Sequence, residues 1–168
     1  AWQGLPVDRN YVVSSRLPIR VGVAVGDTPA SAAYGNHVVS VWREMGLFAT
    51  IVYPYREGDV VDAVLRVTVN GGWRADTGAN MAKGALVGLT LGLASVGLGH
   101  SMTGVHEATA GLFSRAGQVG FYTTNIETKV SWGIGADTNE VAAKAAALQI
   151  RRIAVGLASK FEADAGNI

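Results

Sequence analysis

Between Lys83 and Glu107 the chain runs through Gly84-Ala85-Leu86-Val87-Gly88-Leu89-Thr90-Leu91-Gly92-Leu93-Ala94-Ser95-Val96-Gly97-Leu98-Gly99-His100-Ser101-Met102-Thr103-Gly104-Val105-His106 without one formally charged side chain. Such a segment belongs against lipid, against another copy of itself, or inside a core. Gly84, Gly88 and Gly92 recur every fourth residue, and Ser95 and Gly99 continue the stripe. On a helix these small residues form one smooth face, while Leu86, Leu89, Leu91, Leu93 and Leu98 occupy the rest. Membrane helices associate through faces of this kind, because in lipid close packing rather than hydrophobic burial drives contact. Gly104, Ala108 and Gly111 extend the small-residue set beyond the run.

The flanking sequence describes one domain within 168 residues. Residues 1–18, with Pro6 and Pro18, read as an extended arm. Ile19–Val25 alternates and is rich in β-branched residues, which predicts a strand. Thr28 N-caps a helix with Pro29 at its first position, and Tyr34, Val38, Val41, Trp42 and Met45 recur at helical spacing until Gly46 ends it. Phe48–Tyr55 is a second strand and Asp62–Trp73 a third, with Leu65, Val67 and Val69 facing one way. Val119–Ile134 alternates again, with Tyr122, Thr124, Ile126, Thr128 and Val130 on one side. Asp137 and Glu140 resemble a capping box before a helix carrying Val141, Ala145, Leu148, Arg152 and Val155 to about Ala163, leaving 164–168 as a tail.

The expected order is therefore β-α-β-β-(insert)-β-α, a small α/β (α+β) domain over 19–163 in which the third and fourth strands pair and carry the insert at their tip. A single helix across the run would be about 34 Å long. That crosses a bilayer core but puts the paired strands on opposite sides. A hairpin of two shorter helices, about 79–98 and 101–114, returns the chain to its starting side. It would place Lys83 and Arg115 at its base, Trp73 either at the headgroup layer or as an ordinary cross-strand packing residue, and His100, His106 and Glu107 near the far interface or a wet interior. A buried core helix is the competing reading.

Chemical motifs are sparse. No cysteine occurs, which excludes disulfides, thiolate metal sites and a cysteine nucleophile within these residues. Gly92–Leu98 has phosphate-loop glycine spacing but Leu98 replaces the lysine, and Gly97-Leu98-Gly99 lacks the third glycine of a dinucleotide loop. Leu93-Ala94-Ser95-Val96-Gly97 lacks the first glycine of a nucleophile elbow. His100 and His106 are six apart and do not share a helical face, and His37 reads as a solvent-facing or core-edge residue. No catalytic residue, metal site or cofactor is predicted, and a net charge of +1 gives no field for nucleic acid. The chain reads as a non-enzyme.

The strand Ile19–Val25 leading to Thr28-Pro29, the strand Asp62–Val67 and the alanine-rich last helix resemble the small periplasmic domain of TolB N-terminal regions and of several ring-forming outer-membrane lipoproteins. The glycine-rich insert is similar to that of TraT-type surface-exclusion lipoproteins, and PelC-type lipoproteins are a related comparison. The resemblance implies a lipid-anchored homo-oligomeric ring at the bacterial outer membrane, facing periplasm or surface. Its partners would be copies of itself, the bilayer and other envelope proteins, and its role surface exclusion, export or envelope assembly. The lipidated cysteine of such proteins would have preceded Ala1 or been removed. The alternative is a soluble periplasmic binding or adaptor module with 84–113 in its own core.

Overall fold

A computed structural model describes residues 17–75, 101–131 and 138–165. The elements are β1 (Leu17–Val25), α1 (Pro29–Met45), β2 (Phe48–Val52), β3 (Ala63–Ala75), β4 (Ser101–Ser114), β5 (Gly117–Ser131) and α2 (Thr138–Ala163). They build one five-stranded sheet in the order β2-β1-β3-β4-β5, parallel across β2-β1-β3 and antiparallel from β3 to β5. Both helices pack on one face of it.

Local chemistry sets α1. Thr28 is the N-cap, its side chain accepting from Ser31 N, Pro29 opens the helix, and Gly46 ends it in the left-handed region at φ 65. The same turn repairs the sheet. β1 stops pairing with β3 at Val25↔Val67, which leaves the next polar groups of β3 without a strand neighbour. Ser31 Oγ accepts from Val69 N at 2.7 Å, and Thr28 Oγ1 donates to Val69 O. The helix N-terminus thus substitutes for the missing strand.

The core lies between sheet and helices, with Val21, Val23, Leu65, Val67 and Val69 beneath Val38, Val39 and Trp42 of α1 and Ile153, Leu157 and Phe161 of α2. Tyr122 of β5 donates to Asp164 Oδ2 at 2.6 Å, which fixes the C-terminal end of α2 on the edge strand.

The predicted second helical arm at 101–114 is corrected: it is the strand β4. It pairs with β3 from Val64↔Phe113 to Ala75↔Met102, and with β5 from Ser101↔Ser131 to Ser114↔Gly117. The partner expected for β3, Val119–Ile134, is β5 and reaches β3 only through β4. A strand wins here because Met102, Gly104, His106, Ala108, Ala110 and Leu112 all face the helices with period two. Both edges of the strand are hydrogen-bonded to neighbours, so its backbone is satisfied in the sheet. Met102, His106, Ala108, Ala110 and Leu112 are therefore buried in the domain, in a strand rather than a helix.

Gly71 kinks β3 just before its last residues. Its φ is +122, and a Cβ there would stand 2.0 Å from Val105 O. Only glycine fits that approach.

Candidate functional site

Register brings a buried cluster together where β3 leaves the sheet and β4 returns to it. Trp73, Met102, Val130, Val141 and Ala145 form a second apolar cluster at this end, and His106 lies beside it. Trp73 Nε1 donates to Tyr34 Oη at 2.9 Å, so the indole is tied to α1. Gly104 is bare because the Trp73 ring occupies the space a Cβ would need, with ring atoms from 2.8 Å.

His106 is 1% exposed, and its ring sits edge-on to Tyr34 at 5.1 Å and to Trp73 at 6.1 Å between centroids. A chain of hydrogen bonds fixes its proton. Arg152 Nη1 can only donate, and it donates to Thr128 Oγ1 at 2.8 Å. The Thr128 hydroxyl hydrogen then goes to Gln149 Oε1, which turns the Gln149 amide nitrogen toward His106 Nδ1 at 2.8 Å. Nδ1 must accept, so the single proton of a neutral imidazole is on Nε2. That atom is buried and has no hydrogen-bond partner among the described residues. Burial lowers the His106 pKa from 6.5 to about 4. Burial likewise raises the pKa of the Tyr34 hydroxyl, against the smaller effect of the Trp73 hydrogen bond.

The predicted packing and interface residues separate into three groups. Gly84, Gly88, Gly92, Ser95 and Gly99, with Lys83 and His100, lie outside the described residues. Gly104, Ala108 and Gly111 are on β4, where helix-helix packing does not apply. Ala108 is buried under the helices, and Gly111 is bare because the Phe113 ring lies 2.9 Å from its Cβ position. The last group corrects three interface placements. Trp73 and His106 are in the core, because each finds a polar partner there that a headgroup layer would otherwise supply. Arg115 stands in the β4–β5 turn, at the opposite end of the sheet from the connection, a strand length of about 45 Å away. It cannot mark the base of an insert.

Glu107 is exposed on the sheet face opposite the helices, in register between Asn70 and Asn125. His37 is exposed on α1 and Trp42 is fully buried. Sequence reading did not identify Gln149, Thr128 and the Tyr34–Trp73 pair, since each is defined by a partner on another element. A buried glutamine inside an alanine-rich helix is the one signal that could have flagged the network.

Among the described residues no group of three His, Cys, Asp or Glu side chains could hold a metal, and no helix is long and apolar enough to cross a membrane.

No protein-family model matches the chain, and no curated protein matches it by sequence. Solved structures match it by fold. The chain is similar to a minor lipoprotein from Acinetobacter baumannii, with a TM-score of 0.51 at 9% identity over 86% of this chain and 93% of that one. The rare lipoprotein B from Shewanella oneidensis gives 0.43 at 9% identity over 88% and 93%. A PelC dodecamer from Paraburkholderia phytofirmans gives 0.33 at 17% identity over 79% and 84%. Identities this low show the fold alone, and only the first superposition is close enough to argue from. The fold is lipoprotein-like.

Proposed function

We propose that this chain is a non-enzymatic envelope protein that associates with a bilayer, and with further copies of itself, through the apolar connection 76–100. The observation that carries the reading is the register of β3 and β4, which stay paired as far as Ala75↔Met102. Whatever the connection does, it leaves and returns at one end of the sheet.

That geometry limits how the run meets lipid. One crossing would separate strands that are paired. Two helical crossings need about 20 residues each, and the connection has 25 in all. The run carries Val87, Leu89, Leu91, Leu93 and Leu98 with no charged side chain from Gly84 to His106, which supports contact with lipid. The small residues Gly84, Gly88 and Gly92 leave room for neighbouring copies to approach closely, which supports assembly into a closed ring. The likeness in fold to a minor lipoprotein supports an envelope location, and the resemblance to TraT-type proteins favours the outer membrane and a role in surface exclusion, export or envelope assembly.

Vesicle flotation tests the proposal. The full chain should rise with liposomes in a density gradient. A variant with 76–101 replaced by Asn-Gly should stay in the aqueous fraction while keeping its folded circular dichroism, because that two-residue turn keeps Ala75 opposite Met102. A soluble full chain, or a deletion variant that still floats, would remove the run from membrane association.

A further inference from the structure

The end of the sheet opposite the connection carries a groove of about 510 Å3, within the range of small-ligand and peptide sites. One wall is the 58–62 segment with Tyr55, and the other is the start of β3 and the end of β4, with Val64, Arg66, Phe113 and Arg115. The walls differ in electrostatic state. On the first, Asp59 Oδ2 already accepts from Arg56 N at 2.8 Å and Asp62 Oδ2 from Arg20 N at 2.7 Å. On the second, neither Arg66 nor Arg115 pairs with a carboxylate of a described residue. The Arg66 guanidinium lies 5.7 Å over the Phe113 ring, which holds its planar fork in place.

Apolar surface continues out of the groove. Arg66 is in register with Gly111, Gly111 with Phe121, and Val64 with Phe113, so these side chains share the sheet face without helices. Phe121 is 63% exposed and Val60, on the groove wall, 83%. With Val119 they are the exposed large hydrophobics among the described residues, and all three stand at this end. Large apolar side chains left in water beside unpaired guanidinium groups mark an interaction surface rather than a solvated face.

We infer that this groove binds an extended peptide segment of a partner protein that carries apolar side chains next to a carboxylate. The carboxylate pairs with the open forks of Arg66 and Arg115, while the apolar side chains cover Val60, Phe113 and Phe121. A guanidinium fork matches a carboxylate in two parallel hydrogen bonds, and the aspartates opposite accept from backbone amides and form no ion pair with Arg66 or Arg115. The site is independent of the membrane reading, since it lies a strand length from the connection.

The probe is the peptide acetyl-Ala-Leu-Ala-Phe with a free C-terminal carboxylate, titrated into the nitrogen-15-labelled full chain and followed by amide shifts. Saturable shifts are expected at Val64, Phe113 and Ser114. The C-terminal amide of the same peptide should bind about tenfold more weakly, as should Arg66→Gln and Arg115→Gln variants whose unperturbed spectra elsewhere show an intact fold. The free carboxylate and the amide binding with equal midpoints would overturn the carboxylate assignment. Shifts at these residues that follow protein concentration without peptide would overturn it in favour of a second copy, and no saturable shift up to millimolar peptide would overturn the site itself.

Discussion

Taking the protein from pH 7 to pH 4 is expected to remove about 3 kcal/mol of folding stability through His106 alone. In the unfolded chain the imidazole takes a proton near its ordinary value of 6.5, whereas in the fold it resists protonation down to about 4. The unfolded state therefore binds more protons throughout that window. Stability from this group is complete above the unfolded value and is lost as pH falls toward the folded one. The structural cost is specific. A proton on Nδ1 would face the Gln149 amide hydrogens, and Gln149 cannot turn round without breaking its bond from Thr128, which Arg152 holds in place. Among the described residues Tyr34, Trp73 and Gln149 contact the ring and no carboxylate pairs with it. Urea unfolding at pH 7 and pH 4, in the native chain and in His106→Leu, reads the difference with the common carboxylate titrations cancelled. Equal losses in both proteins would mean that His106 charges in the fold without penalty.

Trp42→Ala is the substitution expected to cost most, about 3–5 kcal/mol. Its indole is fully buried, stacks edge-on against Phe161 of α2 at 5.5 Å between centroids, and donates from Nε1 to Ala154 O at 2.9 Å. It is the bolt between the two helices. The loss combines a large cavity with the hydrogen bond, and it is a substantial part of the roughly 5–15 kcal/mol by which a domain of this size is stable. Trp42→Phe should lose about 1–2 kcal/mol, because most of the ring volume stays and only the polar contact and the extra ring go. A urea midpoint for Trp42→Ala no lower than that for Trp42→Phe would show that the site relaxes around the missing ring.

What could be read from the sequence was what is decided locally. Thr28, Pro29 and Gly46 set the ends of α1 by their own backbone chemistry. On β5, Tyr122, Thr128 and Val130 are buried and Asn125, Glu127 and Lys129 exposed, so the alternation was visible because one face of an edge strand meets water. β4 offered no such contrast. It is a central strand, and its glycines are small because of rings donated from elsewhere: Trp73 over Gly104, from the neighbouring strand, and Phe113 over Gly111. Gly104, Ala108 and Gly111 consequently fall at the spacing of a helical small-residue face by coincidence of those contacts. Sequence alone gives His106 a cost in lipid, and nothing near it in sequence announces Gln149, 43 residues away, as its partner. The groove at the far end was equally hidden, since Asp62, Arg66 and Arg115 meet only once β3 and β4 are paired.

The most direct test of the central claim uses the absence of cysteine from the chain. A single Leu91→Cys carrying an environment-sensitive fluorophore reports on the apolar connection, and Glu107→Cys with the same label reports on the exposed sheet face. With vesicles added, the Leu91 label should shift to shorter wavelength and be quenched by nitroxide-bearing lipid, while the Glu107 label emits as it does in buffer. An unchanged Leu91 label, unquenched by the same lipid, would contradict the claim that the connection between β3 and β4 enters a membrane.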